Sequence, residues 1–102
     1  MNRITMLPVA ELRHHPKNPR LELGDLSELA ESIRARGVIQ NLTVVPVGGE
    51  DEGYYVVIGN RRLDAAKMAG LETLPCVISE MDHKTQIATM LEENMQRQDL
   101  TV

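Results

Sequence analysis

The run Val56-Val57-Ile58-Gly59-Asn60-Arg61-Arg62-Leu63-Asp64-Ala65-Ala66 constrains this chain more than any other. Its three β-branched residues favour an extended strand, because branching at Cβ restricts the rotamers open to a helix. Helix-compatible residues follow at once, so the strand must turn into a helix at Gly59, the residue that best tolerates so sharp a change. Asn60 is then a candidate N-cap for a short helix from Arg61 to Ala69, which Gly70 closes.

Other segments fall into place around that unit. Ile4 to Leu12 reads as a short strand followed by a turn, and His14 to Arg20, with two prolines and an asparagine, reads as a loop. Asp25 with Glu28 three residues later gives a capping-box signal, and Leu26, Leu29, Ala30 and Ile33 keep helical spacing. Gly37 stops that helix as the left-handed residue of its C-cap. Asn41 to Val47 and Tyr54 to Ile58 read as a hairpin around the polar turn Gly48 to Gly53, with Pro46 marking a sheet edge or a strand end. Leu74 to Ser79 is a further strand. Asp82 can cap a last helix with an apolar stripe of Ile87, Met90 and Leu91, ending near Arg97. The order strand, helix, strand, strand, helix, strand, helix predicts an α/β (α+β) fold, a small mixed sheet with three helices.

Composition narrows what such a domain can do. At 102 residues it can bury one modest core, so residues 1–102 read as a single domain. Its only aromatics of the Phe, Trp and Tyr class are Tyr54 and Tyr55, so the core must be aliphatic and a base-stacking platform is not expected. The formal net charge of −4 does not suit a direct duplex binder, so DNA contact has to be local or delegated to another domain. The lone Cys76 rules out an internal disulfide and fits a reducing cytoplasm; it reads as a small core hydrophobe rather than a reactive thiol. No apolar run approaches the roughly 18 residues that span a bilayer, so no membrane partner is expected. The ending Asp99-Leu100-Thr101-Val102 carries no cap or turn, which raises the expectation of a continuing protein.

Three constellations can carry chemistry. At Gly59-Asn60-Arg61-Arg62, a glycine admits a ligand close to the backbone, a helix start offers free N–H groups, and two arginines diverge with bidentate forks, which together suit phosphate. Those arginines can equally be solvated or paired with Asp64 or Glu22. At Glu92-Glu93-Asn94-Met95-Gln96-Arg97, a carboxylate beside a carboxamide provides hard oxygens of the kind Mg²⁺ takes along with phosphates, and Arg97 adds a phosphate donor; a solvated acidic helix end is the alternative. At Gly37-Val38-Ile39-Gln40-Asn41, two carboxamides can read a nucleobase edge, or the segment can simply join helix to strand. His14, His15 and His83 match no zinc or catalytic spacing, and Ser27, Ser32 and Ser79 lack the setting of a nucleophile.

Several runs, in this order, resemble the ParB N-terminal domain family: Asn18-Pro19-Arg20, Glu31-Ser32-Ile33 through Gly37-Val38-Ile39-Gln40, Gly59-Asn60-Arg61-Arg62 with Ala65-Ala66, Ala69-Gly70-Leu71 into Leu74-Pro75, and Glu93-Asn94-Met95-Gln96-Arg97-Gln98-Asp99-Leu100. The resemblance implies a ParB/sulfiredoxin-like fold that binds CTP with Mg²⁺ and closes two subunits into a clamp on DNA. By resemblance, Gly59, Asn60, Arg61 and Arg62 with Arg97 hold the phosphates, Glu93 and Asn94 the metal, and Gly37, Val38, Ile39 and Gln40 the base. It assigns sequence-specific DNA reading to a helix-turn-helix domain that follows, and implies a homodimer when clamped.

Two departures matter. The family usually carries Glu where this chain has Asn60, and often Pro where it has Asn41. The first puts a weak CTPase activity in question more than binding; the second leaves base identity open. A metal-dependent nuclease or other phosphoryl-transfer enzyme of the same fold is the alternative, with Glu92, Glu93 and Asp64 as its only acidic candidates. Sulfiredoxin chemistry needs a cysteine at the position of Asn60 and is disfavoured.

Overall fold

The computed structural model describes residues 3–18, 25–37, 40–49 and 52–99, with side chains up to Glu93. In chain order it forms β1 (Ile4–Pro8), a 3-10 turn (Val9–Glu11), β2 (Leu12–His14), α1 (Ser27–Arg36), β3 (Leu42–Pro46), β4 (Tyr54–Ile58), α2 (Asn60–Ala69), β5 (Thr73–Ile78) and α3 (His83–Asp99). The five strands make one sheet in the order β1-β5-β3-β4-β2. It is mixed: β1 with β5 and β3 with β4 run antiparallel, whereas β5 with β3 and β4 with β2 run parallel. The mixed α/β class and the three helices therefore match the expectation from sequence.

Alternation along the strands divides the apolar residues between two faces. Val44 and Val56 turn toward α1 and α2, joining Ala30, Ile33, Leu63, Ala65, Ala66, Leu74 and Cys76 in the larger core. Val45 and Val57 turn the other way and pack against Met90 of α3, with Tyr55, Ile58, Met81 and Ile87 around them. One consequence is that the β4–α2 turn lies at a sheet end reached by helices from both faces.

The structure corrects several details. A fifth strand, β2, runs where Leu12 reads as a turn and His14 as a loop; at three residues it is too short to show a period, and only its partner β4 defines it. Because β3 lies in the middle of the sheet, Pro46 marks a strand end and not an edge. Pro75 sits inside β5, and this is tolerated because the ladder to β3 begins only at Cys76. Gly37 takes φ 76° with ψ −176°, a positive-φ extended conformation rather than the left-handed helical one. Leu91 is 45% exposed, so the apolar face of α3 consists of Ile87 and Met90 without it.

Asp82 caps α3 as its position suggests, whereas α1 has Leu26 as its N-cap with no side-chain cap bond, so Asp25 and Glu28 do not make the capping box read from their spacing. Asp82 Oδ1 accepts from Thr85 N–H at 2.7 Å, and hydrogen bonding from the Thr85 side chain and backbone holds its carboxyl below the usual carboxylate range. Asp25 Oδ1 accepts from Ser27 N–H at 2.9 Å, and its carboxyl is lowered chiefly by that bond, with a smaller contribution from Arg61. The start of α3 is also tied to the sheet through His15, which is 5% exposed. Lys17 N–H donates to His15 Nδ1 at 3.0 Å, so the ring proton sits on Nε2 and is donated to Gln86 Oε1 at 2.8 Å. Gln86 Nε2 donates in turn to Met81 O at 2.8 Å.

Cys76 is fully buried in the larger core, and burial pushes its thiol up from 9.0 to about 11. About a hundredfold less thiolate is then present at neutral pH than for an ordinary cysteine, before occlusion is counted. Alkylation followed by mass spectrometry should find Cys76 unmodified in the native chain and modified in guanidinium; labelling at the rate of a free thiol without denaturant contradicts this placement.

Candidate functional site

The site is built on the turn between β4 and α2. Gly59 is the N-cap of α2, with φ 104° and ψ 24°. A Cβ there would lie 2.8 Å from Leu42 Cγ, so both the dihedral and the close approach demand glycine. Asn60 is the first residue of the helix and not its N-cap. Its side chain is turned inward, 4% exposed, with Nδ2 donating to Val56 O at 3.1 Å. The correction has a simple cause: glycine in the left-handed region already starts the helix, and the following side chain then falls on the buried face.

Arg61 and Arg62 diverge. Arg61 Nη2 donates to Asp25 O at 3.2 Å, at the start of α1. Arg62 Nη1 donates to Asn41 O at 3.3 Å, and its Nη2 donates to Gln40 Oε1. From the other face of the sheet, Glu93 of α3 reaches the same turn, where its Oε2 accepts from Gly59 N–H at 3.2 Å. Residues drawn from three separate runs of the sequence, Gln40, Gly59 to Arg62, and Glu93, are therefore gathered at one helix opening.

The arrangement has the chemistry of an anion site bordered by a carboxylate. Gly59 N–H already holds a carboxylate oxygen, which shows that the backbone here satisfies an anion. Arg61 Nε is buried and has no partner among the described residues, a state that costs about 1–3 kcal/mol unless an acceptor is supplied. Asn60 Oδ1 is likewise buried without a partner among those residues. No group of three or more His, Cys, Asp or Glu gathers as a metal cage among the described residues. Mg²⁺ does not need one, since it takes one or two protein oxygens and completes its shell with water and phosphate. Gly59, Arg61, Arg62 and Glu93 thus fit a magnesium nucleotide by donor set.

Other sequence expectations fall as follows. Gly37 ends α1, while Val38 and Ile39 lie outside the described residues, as do the side chains of Asn94 and Arg97. Glu22 also lies outside them. Asp64 does not pair with either arginine: its Oδ1 stands 2.8 Å from His14 Nε2. That contact joins residues fifty positions apart through the unforeseen β2, and no sequence signal announced it. The backbone carbonyls of Asp25 and Asn41 were also missed as anchors for Arg61 and Arg62, because any residue supplies a carbonyl. Among the described residues no helix is long and apolar enough to cross a membrane.

Known proteins resemble this chain in sequence and in fold to different depths. The chromosome-partitioning protein Spo0J of Thermus thermophilus is 41% identical over 100 residues, covering 96% of this chain and 36% of that protein. The chain thus spans about a third of the length of such curated relatives. The C-terminally truncated chromosome-partitioning protein ParB of Caulobacter crescentus, solved in complex with CTP-γ-S, superimposes with a TM-score of 0.82 at 34% identity, covering 92% of this chain and 53% of that one. The same protein bound to the centromeric parS site gives 0.77 at 31% identity, over 91% of this chain and 48% of that one. Sulfiredoxin from Arabidopsis thaliana gives 0.65 at 28% identity, covering 86% of this chain and 97% of that one, and shares the fold. Residues 1–95, nearly the whole sequence and every element that builds the site, match the ParB N-terminal domain, and the chain belongs to that family.

Proposed function

We propose that this chain is the CTP-binding domain of a ParB-like DNA-partition or DNA-regulatory protein, acting in the cytoplasm as part of a nucleotide-gated clamp on DNA. The observation that carries the reading is the convergence of Gln40, Arg61, Arg62 and Glu93 on the Gly59 turn. The Caulobacter crescentus relative crystallised with CTP-γ-S supports the choice of nucleotide. Gly59 and Asn60 contribute backbone N–H groups, Arg61 and Arg62 with Arg97 bind phosphate oxygens, and Glu93 with Asn94 holds Mg²⁺, which neutralises phosphate charge when bound. Gly37, Val38, Ile39 and Gln40 line the base side. DNA is engaged through a following domain, consistent with the chain's net charge of −4, and two copies meet when the clamp closes.

Asn60 bears on turnover. With its amide committed to Val56 O, its side chain offers the phosphates neither a carboxylate nor a base. The domain therefore holds nucleotide better than it hydrolyses it.

Calorimetric titration with CTP tests the reading. Saturable binding is expected with Mg²⁺, and Glu93→Gln should lower affinity about tenfold or more in Mg²⁺ without weakening the metal-free binding, since even residues that only support a metal ligand typically change affinity by about 10- to 100-fold and the loss of a carboxylate charge relieves repulsion of the bare phosphates. Absence of binding by any nucleoside triphosphate would sink it.

A further inference from the structure

We propose that His15 is a positioning residue for the metal side of the site: by bridging β4 and the first turn of α3, it sets where Glu93 stands against the Gly59 turn. This rests on the nucleotide-binding reading above and adds what holds its metal ligand in place.

The two halves of the site come from different elements. Gly59 is delivered by β4, and Glu93 by α3, more than two turns along the helix from its start at His83. The apolar anchor of α3 is small, with Met90 and Ile87 packed near Val45 and Val57. Such contacts are non-directional, so they resist lifting the helix off the sheet better than they resist its sliding or turning. Directional bonds have to set its register.

His15 supplies one. It is 5% exposed, and its ring lies against Tyr55 of β4 with centroids 5.0 Å apart and against His83 at the start of α3 at 6.1 Å. Each hydrogen bond running through it has a single allowed direction. The Lys17 backbone N–H can only donate, so His15 Nδ1 accepts it at 3.0 Å and Nε2 carries the proton. Met81 O can only accept, so the Gln86 amide turns its nitrogen there and its oxygen toward His15 Nε2, at 2.8 Å in both bonds. The first turn of α3 is thereby fixed against the strand that carries Gly59.

Gln86 and Glu93 are seven residues apart, close to two full turns, so they share one face of α3 with a rise of about 10 Å between them. The helix is tied at Gln86 by His15 and at Glu93 by the Gly59 N–H. A helix is stiff over two turns, so a slide or rotation that shifts Gln86 carries Glu93 with it. Arg61 and Arg62 are anchored to Asp25 O and Asn41 O, not to α3, so losing the His15 tie moves the carboxylate relative to them.

The test is titration of the intact chain with CTP, with and without Mg²⁺, reading for each variant the ratio of the two affinities. Effects on phosphate donors act in both conditions and cancel in that ratio. His15→Ala should lower it by about three- to tenfold, toward the value given by Glu93→Gln, and Gln86→Ala, at a half-buried helix position that threatens folding less, should do the same. In a Glu93→Gln background His15→Ala should leave the ratio where it is, because residues that act through one another are not additive. A purely structural role lowers the melting temperature and leaves the ratio at its wild-type value. That result in folded His15→Ala and Gln86→Ala, or a full further loss in the Glu93→Gln background, overturns the inference and leaves nucleotide binding standing. If the wild type does not bind CTP, both readings fall.

Discussion

Replacing Arg62 by alanine is expected to weaken CTP binding by about a hundredfold or more while leaving the fold in place. A hydrogen bond to a charged group is worth about 1.5–3 kcal/mol, and a guanidinium on a phosphate commonly makes two. Arg62 also orients Gln40, so its loss removes a phosphate ligand and frees the base-side carboxamide together. Stability should suffer little, because the structural bonds lost, to Asn41 O and Gln40, lie at a half-buried to exposed position where water can take their place. Calorimetry beside a thermal melt separates the two effects. A folded Arg62→Ala variant with wild-type affinity would remove this side chain from the binding site.

Gly59→Ala should act on stability and binding at once. A non-glycine residue at φ 104° costs about 1–3 kcal/mol. The added Cβ also falls 2.8 Å from Leu42 Cγ, and Leu42 is fully buried between sheet and helix and cannot swing away. Overpacking of that kind adds about 1–3 kcal/mol. A loss of about 2–6 kcal/mol is a large share of the roughly 5–15 kcal/mol that holds a domain of this size folded. Urea unfolding should show a clearly lowered midpoint, with binding weakened in the fraction still folded, since a shifted turn moves the N–H that now holds Glu93. A midpoint equal to that of the wild type would mean that the turn tolerates a side chain.

The contrast between Asn60 and Gly59 shows how far the sequence could be read. A polar residue at a strand-to-helix turn scores as a cap by type, and Asn60 has the right type. What it does depends on where the helix begins, and that depends on the dihedral Gly59 adopts against Leu42, a residue seventeen positions earlier. Likewise Leu91 keeps helical spacing with Ile87, yet the strip of sheet that α3 covers is narrow and leaves it outside. Strand β2 shows the same limit, since three residues carry no period and acquire meaning only beside β4.

The sequence by itself determined the mixed class, the three helices, the glycine at the turn and the residue types of the candidate site, because all of these rest on local periodicity, dihedral preference and side-chain chemistry. Only the tertiary structure decided which residues meet. It brought Glu93 across the sheet to Gly59, gave Asp64 to His14 instead of to an arginine, and set Arg62 against Gln40. Contacts between segments twenty to fifty residues apart are chosen by how a whole sheet packs between its helices, and no window of sequence holds that information.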